Sequence, residues 1–206
     1  MRQLIIFGPQ GSGKGTQAQM LEQELGLAHL NIGERLRHEV QERTPIGKQV
    51  KPLMDRGEMV STEIVQKLVG KLVREAHKGF VLDGFPRTAT QAAFLDTVTG
   101  IDRAIVLRLS DKAAVTRIDG RIECTNGHDY HTTLKPPKKS GVCDECGLPL
   151  KRRADDTKAA LMKRLAIYHE QTEPLLAHYK GKLLIVDGDQ SIAKVHQDII
   201  KGVRKA

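Results

Sequence analysis

Four short, nearly continuous apolar runs recur along the chain: Leu4–Phe7, Phe80–Leu82, Ala104–Leu109 and Leu183–Val186. Runs of this length without polar alternation predict strands buried on both faces of a parallel sheet. Ala28–Asn31 predicts a weaker fifth strand. Between them the spacing turns helical. Ala18, Leu21 and Leu25 mark one helix, and Ile64, Val65, Leu68, Val69, Leu72 and Val73 mark the face of another, entered through Ser61-Thr62-Glu63. Leu161, Leu165, Tyr168, Leu175 and Leu176 predict a long helix bent at Pro174. No internal repeat is present. Strands alternating with helices imply a doubly wound α/β fold whose ligand sits at the carboxyl edge of the sheet.

Two stretches interrupt the alternation. Residues 31–60 are polar, with turns expected at Thr44-Pro45-Ile46-Gly47 and Asp55-Arg56-Gly57. Residues 121–157 hold every cysteine of the chain, the turn formers Asn126-Gly127 and Pro136-Pro137, and the pair Lys138-Lys139. Both read as insertions standing on the core, and long excursions of this kind are often lids or binding flaps.

Composition narrows the partners. A chain of 206 residues has room for one ordinary α/β core. The net charge of +8 fits a polyanionic partner, nucleic acid or nucleoside phosphates. Aromatic content of 3% with no Trp leaves few stacking platforms for single-stranded nucleic acid. No run approaches the ~20 apolar residues of a membrane span, and the first apolar run is too short for a signal-peptide core, so a cytoplasmic protein without membrane partners is expected. Three clustered cysteines argue against a secreted disulfide framework.

The chemistry begins after the first strand, at Gly8-Pro9-Gln10-Gly11-Ser12-Gly13-Lys14-Gly15-Thr16. Strand, glycine-rich turn and helix start are the context in which such a loop wraps phosphates. Small residues let the backbone approach the anion, free amides point at it, and Lys14 reaches the outer phosphates as a point charge. The general pattern places Ser or Thr directly after the lysine; here Gly15 intervenes before Thr16. Asp83 ends a second apolar strand. There it is either a turn residue before Gly84 or, beside a phosphate loop, a holder of the water shell of Mg²⁺.

Taken together, Gly8–Thr16, Asp83-Gly84-Phe85-Pro86-Arg87-Thr88 with Gln91, Arg153-Ala154-Asp155-Asp156 and Lys163–His169 resemble the adenylate kinases, nearly end to end. Gly15-Thr16 is normal in that family, and the long 121–157 stretch is similar to its long-lid bacterial type. The resemblance implies a P-loop nucleoside monophosphate kinase fold. Its parts would be a core of residues 1–30, 61–120 and 158–206, and two mobile subdomains, an AMP-binding insertion at 31–60 and a lid at 121–157. It implies Mg²⁺-dependent phosphoryl transfer from ATP to AMP, giving ADP, by a monomer. Gly11, Ser12, Gly13, Lys14, Gly15 and Thr16, with Arg121, Asp129, Tyr130 and Gln190, match ATP-side positions. Ile32, Gly33, Arg37, Glu58, Met59, Val60, Gly84, Phe85, Pro86, Arg87 and Gln91 match the AMP side. Arg153 and Arg164 match arginines that bridge the two nucleotides.

Independent physics agrees with this division. Two nucleotides bring several negative charges together, and Lys14, Arg87, Arg121, Arg153 and Arg164 supply charge neutralisation in place of covalent chemistry. Asp155 and Asp156 read as residues that orient arginines or pin a hinge, since an ionised AMP phosphate needs no base. Ile32 departs from the family, which usually carries Ser or Thr there, so base selectivity is what that position puts in question.

The lid adds a second signal. Cys143-Asp144-Glu145-Cys146 is a C-x2-C knuckle, and Cys124 with His128 lies upstream. Zinc-bearing members of the family show C-x2-C twice, but Gly127 takes the second upstream position here. His128 is the expected fourth ligand of a structural Cys3His zinc site, with Asp129 and His131 as rivals and three free thiols as the alternative. Two other functions remain open at this point: a nucleoside monophosphate kinase with another acceptor or donor base, and a nucleic-acid-binding zinc-ribbon ATPase.

Overall fold

The computed structural model describes residues 2–204. Its frame is a five-stranded, all-parallel sheet of β1 (Arg2–Phe7), β2 (Ala28–Asn31), β3 (Gly79–Asp83), β4 (Arg103–Arg108) and a last strand, Leu183–Asp187, in the order β2-β3-β1-β4-last. Every pairing is parallel. The period of two along β1 divides the core. Leu4 and Ile6 join Val81, Ile105, Leu107 and Val186 on one face, whereas Ile5 and Phe7 join Phe80, Leu82, Ala104 and Val106 on the other. Burying each such side chain contributes about 1.5–3 kcal/mol, so these runs hold the strands without polar alternation.

Helices α1 (Lys14–Leu25) and the C-terminal helix, Ile192–Arg204, cover the first face through Ala18, Leu21, Val195 and Ile199. Helices α2 (Ile32–Gln41), α3 (Pro45–Asp55), α4 (Thr62–Glu75) and α5 (Ala89–Val98) follow in chain order, and α4 and α5 cover the second face. Helix α6 (Asp111–Asp119) precedes a short antiparallel ribbon, β5 (Arg121–Glu123) with β6 (Asp129–His131), and α7 (Lys158–Ile167) returns the chain to the core. The last strand and helix are therefore β7 and α8.

Side-chain caps set where the elements off the sheet begin and end. Asn31 accepts from Glu34 N (3.0 Å) to start α2, Ser61 from Ile64 N (3.4 Å) to start α4, and Thr157 from Ala160 N (3.2 Å) to start α7. The expected turn at Thr44–Gly47 is instead the first turn of α3. Thr44 caps it by accepting from Gly47 N at 3.0 Å, and Pro45 occupies the first helical position, where a missing N–H costs nothing.

The single long helix expected through Leu176 is also corrected. Helix α7 ends at Ile167, a π-helical turn spans Tyr168–Thr172, and Pro174 opens a 3₁₀ segment running to Lys182. The wide turn appears in Glu173 N donating to Tyr168 O at 2.8 Å, five residues back. Proline thus stands at the start of a new segment and does not kink an old one.

The ribbon carries a small core of its own, Cys124, Tyr130 and Cys143 with Ile122, Leu148 and Leu150 around them. Residues 32–60 and the ribbon meet over the carboxyl edge of the sheet. Arg37 Nε lies 3.8 Å from Glu123 Oε1, while Lys163 Nζ donates to Glu58 Oε1 (2.8 Å) and Arg164 Nη2 to Met54 O (3.2 Å). No described helix is long and apolar enough to cross a membrane.

Candidate active site

Between these parts lies one cavity of about 430 Å³ at the carboxyl ends of β1 and β3. Its floor is the turn between β1 and α1. Gly8 has φ +148°, and a Cβ there would fall 2.6 Å from Ser12 Oγ and 2.7 Å from Leu107 O. Gly11, at φ +84°, would collide in the same way with Ala114 O at 2.9 Å. Only glycine lets the loop bend this tightly and turn its amides inward. Lys14 Nζ folds back to donate to Gly8 O and Pro9 O, each at 2.8 Å. Burial lowers its pKa from 10.5 to about 8; Asp83 opposes that shift, while Arg87 and Arg121 add to it. A desolvated lysine among other cations is a strong anion attractor.

Asp83 ends β3 beside Ile6 of β1 and Asn31 of β2. Its Oδ2 lies 3.7 Å from His29 Nε2. Burial alone would raise the Asp83 pKa, but His29, Lys14 and Arg87 outweigh it and hold the carboxyl below its ordinary value. The same pairing raises His29, against the opposing effect of burial. Asp83 is thus a buried anion at the lip of the phosphate loop, and hard oxygen donors of this kind suit a hydrated divalent cation.

Six arginines line the cavity: Arg37, Arg87, Arg117, Arg121, Arg153 and Arg164. Five are held by carboxylates. Arg117 Nη2 donates to Asp189 Oδ1 at 3.1 Å. Arg121 grips Asp156 through two nitrogens, with Nε donating at 2.8 Å. Arg153 donates to Glu123 and, at 2.6 Å, to Asp129. Arg164 donates to Asp155 and lies 3.7 Å from Asp156. Arg37 faces Glu123. Arg87 has no carboxylate within 4.0 Å among the described residues; its Nε donates to Gly84 O at 2.9 Å. Burial, followed by the Arg164 charge, lowers the Arg87 pKa. The uncompensated cations, Lys14 and Arg87, therefore stand at the sheet edge.

Away from the cavity, Cys124 Sγ, His128 Nδ1, Cys143 Sγ and Cys146 Sγ lie within 4.8 Å of one another. Nδ1 is 3.4 Å from the Cys124 sulfur and 3.3 Å from that of Cys143, and the Cys124 and Cys146 sulfurs are 3.7 Å apart. A tetrahedral zinc with S and N ligands has edges of about 3.8 Å (S–S) and 3.6 Å (S–N). The residues present fit that ion. His128 Nε2 points to Glu145 Oε2 at 3.4 Å, an outer contact of the kind that fixes a ligating ring. The rivals are engaged elsewhere: Asp129 with Arg153, and His131 Nδ1 with the amides of Thr133 and Leu134, each at 3.1 Å.

A sequence model of the adenylate kinase family matches residues 6–183. The chain is 44% identical to the adenylate kinase of Paracoccus denitrificans over 211 residues, 98% of this chain and 97% of that one. It is 40% identical to those of Caldicellulosiruptor saccharolyticus (97% of this chain, 98% of the relative) and Methanosarcina barkeri (98% of each). The chain belongs to the adenylate kinase family.

Adenylate kinase positions expected from the sequence mostly converge on the cavity. Gly11–Thr16, Ile32, Gly33, Glu58, Met59, Val60, Asp83, Gly84, Gln91, Asp129, Tyr130 and Gln190 line it with the arginines. Ile32 is buried at the first position of α2. Gln91 accepts from Arg87 N at 2.8 Å and so fixes that backbone. Two of the expected residues turn part of their side chains elsewhere. Phe85 is fully buried and meets Phe94 edge-on (6.4 Å), so its ring belongs to the core. Phe85 and Pro86 line an adjoining space of about 80 Å³ that shares Lys14, Glu58, Met59, Gly84, Arg87 and Arg164 with the main cavity. Tyr130 reaches the cavity, but its hydroxyl is turned away; it accepts from Asp144 N at 2.9 Å and contacts Cys143 Sγ.

Sequence reasoning missed His29, Glu123 and Asn31, whose amide lies near Gly15. His29 and Asn31 share one face of β2 two residues apart, a periodic signal that pointed to the edge where Asp83 stands. Glu123 carried no motif; only folding brings it to Arg37 and Arg153.

Proposed function

We propose that this chain catalyses reversible transfer of the terminal phosphoryl group of ATP to AMP, giving two ADP. The observation that carries the reading is the single cavity in which a phosphate loop with Lys14 meets six arginines drawn from different parts of the chain. Catalysis of phosphoryl transfer is positioning and charge neutralisation, and that is what this cavity offers.

In this reading Gly11–Thr16 cradle the ATP phosphates, and Lys14 follows the transferred group. Arg121, Asp129 and Tyr130 stand on the ATP side, with Gln190 at the adenine end. Ile32, Gly33, Arg37, Glu58–Val60, Gly84, Arg87 and Gln91 surround AMP. Arg153 and Arg164 span the two. An AMP phosphate oxygen forms the new P–O bond as the bond to the ADP leaving group breaks, in line, with no general base. Residues 31–60 and 121–157 act as the AMP-binding insertion and the lid on a core of 1–30, 61–120 and 158–206, excluding water so that AMP is the acceptor.

Asp83 would hold the water shell of Mg²⁺. When bound, that ion screens the β- and γ-phosphate charges. Cys124, His128, Cys143 and Cys146 would hold a structural Zn²⁺ that braces the core-poor lid.

The test is ADP formation from ATP with AMP, GMP, CMP or UMP, without nucleic acid. AMP-dependent ADP production supports the reading. ATP hydrolysis without an acceptor, or a marked preference for another acceptor base, would overturn it.

A further inference from the structure

Thr172 is buried at the end of the π-helical turn that follows α7, and the assignments above give it no role. Its hydroxyl reaches out of its own segment. Oγ1 donates to Arg87 O at 3.1 Å, 85 positions back along the chain. A threonine in a helical stretch can instead turn its hydroxyl to the carbonyl four residues earlier. For Thr172 that carbonyl belongs to Tyr168, and the wide turn already gives it to Glu173 N at 2.8 Å. The hydroxyl is left for Arg87. On its outer side the same turn meets α6, where His169 Nε2 lies 3.0 Å from Asp111 Oδ1.

Arg87 is the cavity arginine that no carboxylate holds among the described residues. It stands in the irregular loop between β3 and α5, so no ladder or helix fixes its backbone. Two ties come from its own neighbourhood: Gln91 Oε1 accepts from Arg87 N at 2.8 Å, and Gly84 O accepts from Nε at 2.9 Å. Both close within Gly84–Gln91 and link the loop to nothing else. The bond from Thr172 is the one contact of the three that comes from another part of the fold. Holding the N–H and the C=O of one residue together fixes the direction in which its side chain leaves the backbone. Thr172 also shares the adjoining 80 Å³ space with Lys14, Arg87 and Arg164.

We propose that Thr172 is a positioning residue for the acceptor phosphate. By holding Arg87 O, its hydroxyl aims the Arg87 guanidinium, a task that carboxylates perform for the other five cavity arginines. This rests on the adenylate kinase reading only for naming AMP as the ligand of Arg87. Without the hydroxyl, Arg87 O loses its donor, the loop shifts, and the guanidinium moves off line. Use of AMP suffers while ATP binding does not.

Thr172→Val keeps the shape and removes the hydroxyl, whereas Thr172→Ser keeps the hydroxyl. At saturating ATP, kcat/KM for AMP should fall about three- to thirtyfold in Thr172→Val, between the loss of one hydrogen bond and a full 1 Å misplacement. Thr172→Ser should restore it to within about threefold of wild type. The ATP dissociation constant, measured without AMP, should be the same in all three proteins. A double-mutant cycle decides whether Thr172 acts through Arg87. In an Arg87→Ala background, Thr172→Val should cost less than about twofold, because the group it aims is gone. An equal loss in both backgrounds, a loss in Thr172→Ser as large as in Thr172→Val, or ATP binding weakened as much as AMP use would overturn the proposal. Should Thr172→Val not fold, Thr172→Ala takes its place in the cycle. Apart from turnover, the Arg87 carbonyl ¹³C and Thr88 amide ¹⁵N signals should shift in Thr172→Val and not in Thr172→Ser; unmoved signals in both would show that the hydroxyl does not hold the loop. Failure of the wild type to make ADP from ATP and AMP would sink the adenylate kinase reading without touching that spectroscopic result.

Discussion

Asp156 offers a direct test of how the arginine cluster is held. Its side chain is 2% exposed, and it accepts from two nitrogens of Arg121 while lying 3.7 Å from Arg164 Nη1. Asp156→Asn keeps the volume but removes the charge and places an NH₂ against a guanidinium that can only donate. Breaking a buried pair costs about 3–5 kcal/mol. Arg121 is 15% exposed and can reach water, so the lower end applies, about 3 kcal/mol. A domain with about 10–15 kcal/mol of stability remains folded after that loss. The kinetic effect follows from aim. A displacement of about 1 Å in a charge-stabilising group costs up to ~10²-fold, so kcat should fall about 10- to 100-fold, with both KM values changing far less. Steady-state ADP formation with each substrate varied, alongside denaturant unfolding, measures both quantities. An unchanged kcat with a lower ATP KM would refute the reasoning, because Asp156 would then be a competitor of the phosphates for Arg121 and not its support.

Lys14 sets a pH dependence. Its pKa in the fold, about 8, lies below the ordinary 10.5, so the cost of its charge is fully present below about pH 8 and relieved between 8 and 10.5. The nucleotide-free enzyme should gain stability across that window and lose its phosphate anchor. Hence kcat/KM for ATP falls above about pH 8 while kcat at saturation holds further, because bound phosphate restores the proton; a flat kcat/KM through pH ~9.5 would contradict this. The Cys3His cluster should carry close to one zinc per chain after mild purification. Chelation, or Cys143→Ser, should expose 121–157 to protease and raise the ATP KM while the core transition stays in place; absence of zinc from every preparation would count against the site. Arg87→Ala removes the arginine without a carboxylate partner and should lower kcat/KM for AMP about 10²- to 10³-fold, measured at saturating ATP. Ile32→Thr adds one hydroxyl to the cavity wall and should change the AMP KM several-fold at most, a net ~0.5–1.5 kcal/mol; identical AMP and CMP kinetics would show that the position does not select the base.

The sheet was legible because its strands are buried on both faces, which leaves continuous apolar runs that no other element produces at such lengths. The phosphate loop was legible because its glycines answer a steric demand: the space at Gly8 and Gly11 is already filled by Ser12, Leu107 and Ala114. The cap at Ser61 marked a helix start for the same local reason, while those at Asn31 and Thr157 went unread. What escaped was non-local. The ion pairs of Glu123 with Arg37 and Arg153 join residues 86 and 30 positions apart, and no periodicity encodes them. The turn at Tyr168–Thr172 escaped because a one-residue widening of a helix leaves its composition unchanged, so Pro174 drew the attention instead. Phe85 escaped because a motif gives a residue's place in the chain, not the side to which its ring turns.

The distribution of carboxylates explains how the cavity closes on itself without nucleotide. At an effective dielectric of about 20, two unit charges 4 Å apart interact by about 4 kcal/mol, so uncompensated arginines would drive residues 32–60 and 121–157 apart. Arg37 and Arg153 illustrate the problem, since burial and then the Arg153 charge lower the Arg37 pKa. Glu123 stands between them, and Asp129, Asp155 and Asp156 serve the others. These acids engage guanidinium edges, and Arg153, which uses Nε and Nη2, keeps Nη1 free. A phosphate can therefore add to a held arginine without first expelling its carboxylate. Lys14 and Arg87 have no such partner and sit on the rigid sheet edge, where the deepest phosphate charge is needed. Arg37, Arg121 and Arg153, from residues 32–60 and 121–157, come with counter-ions, as do Arg117 of α6 and Arg164 of α7; Lys14 and Arg87 at the sheet edge do not. That division lets one site hold together empty and still favour the transition-state charge when full.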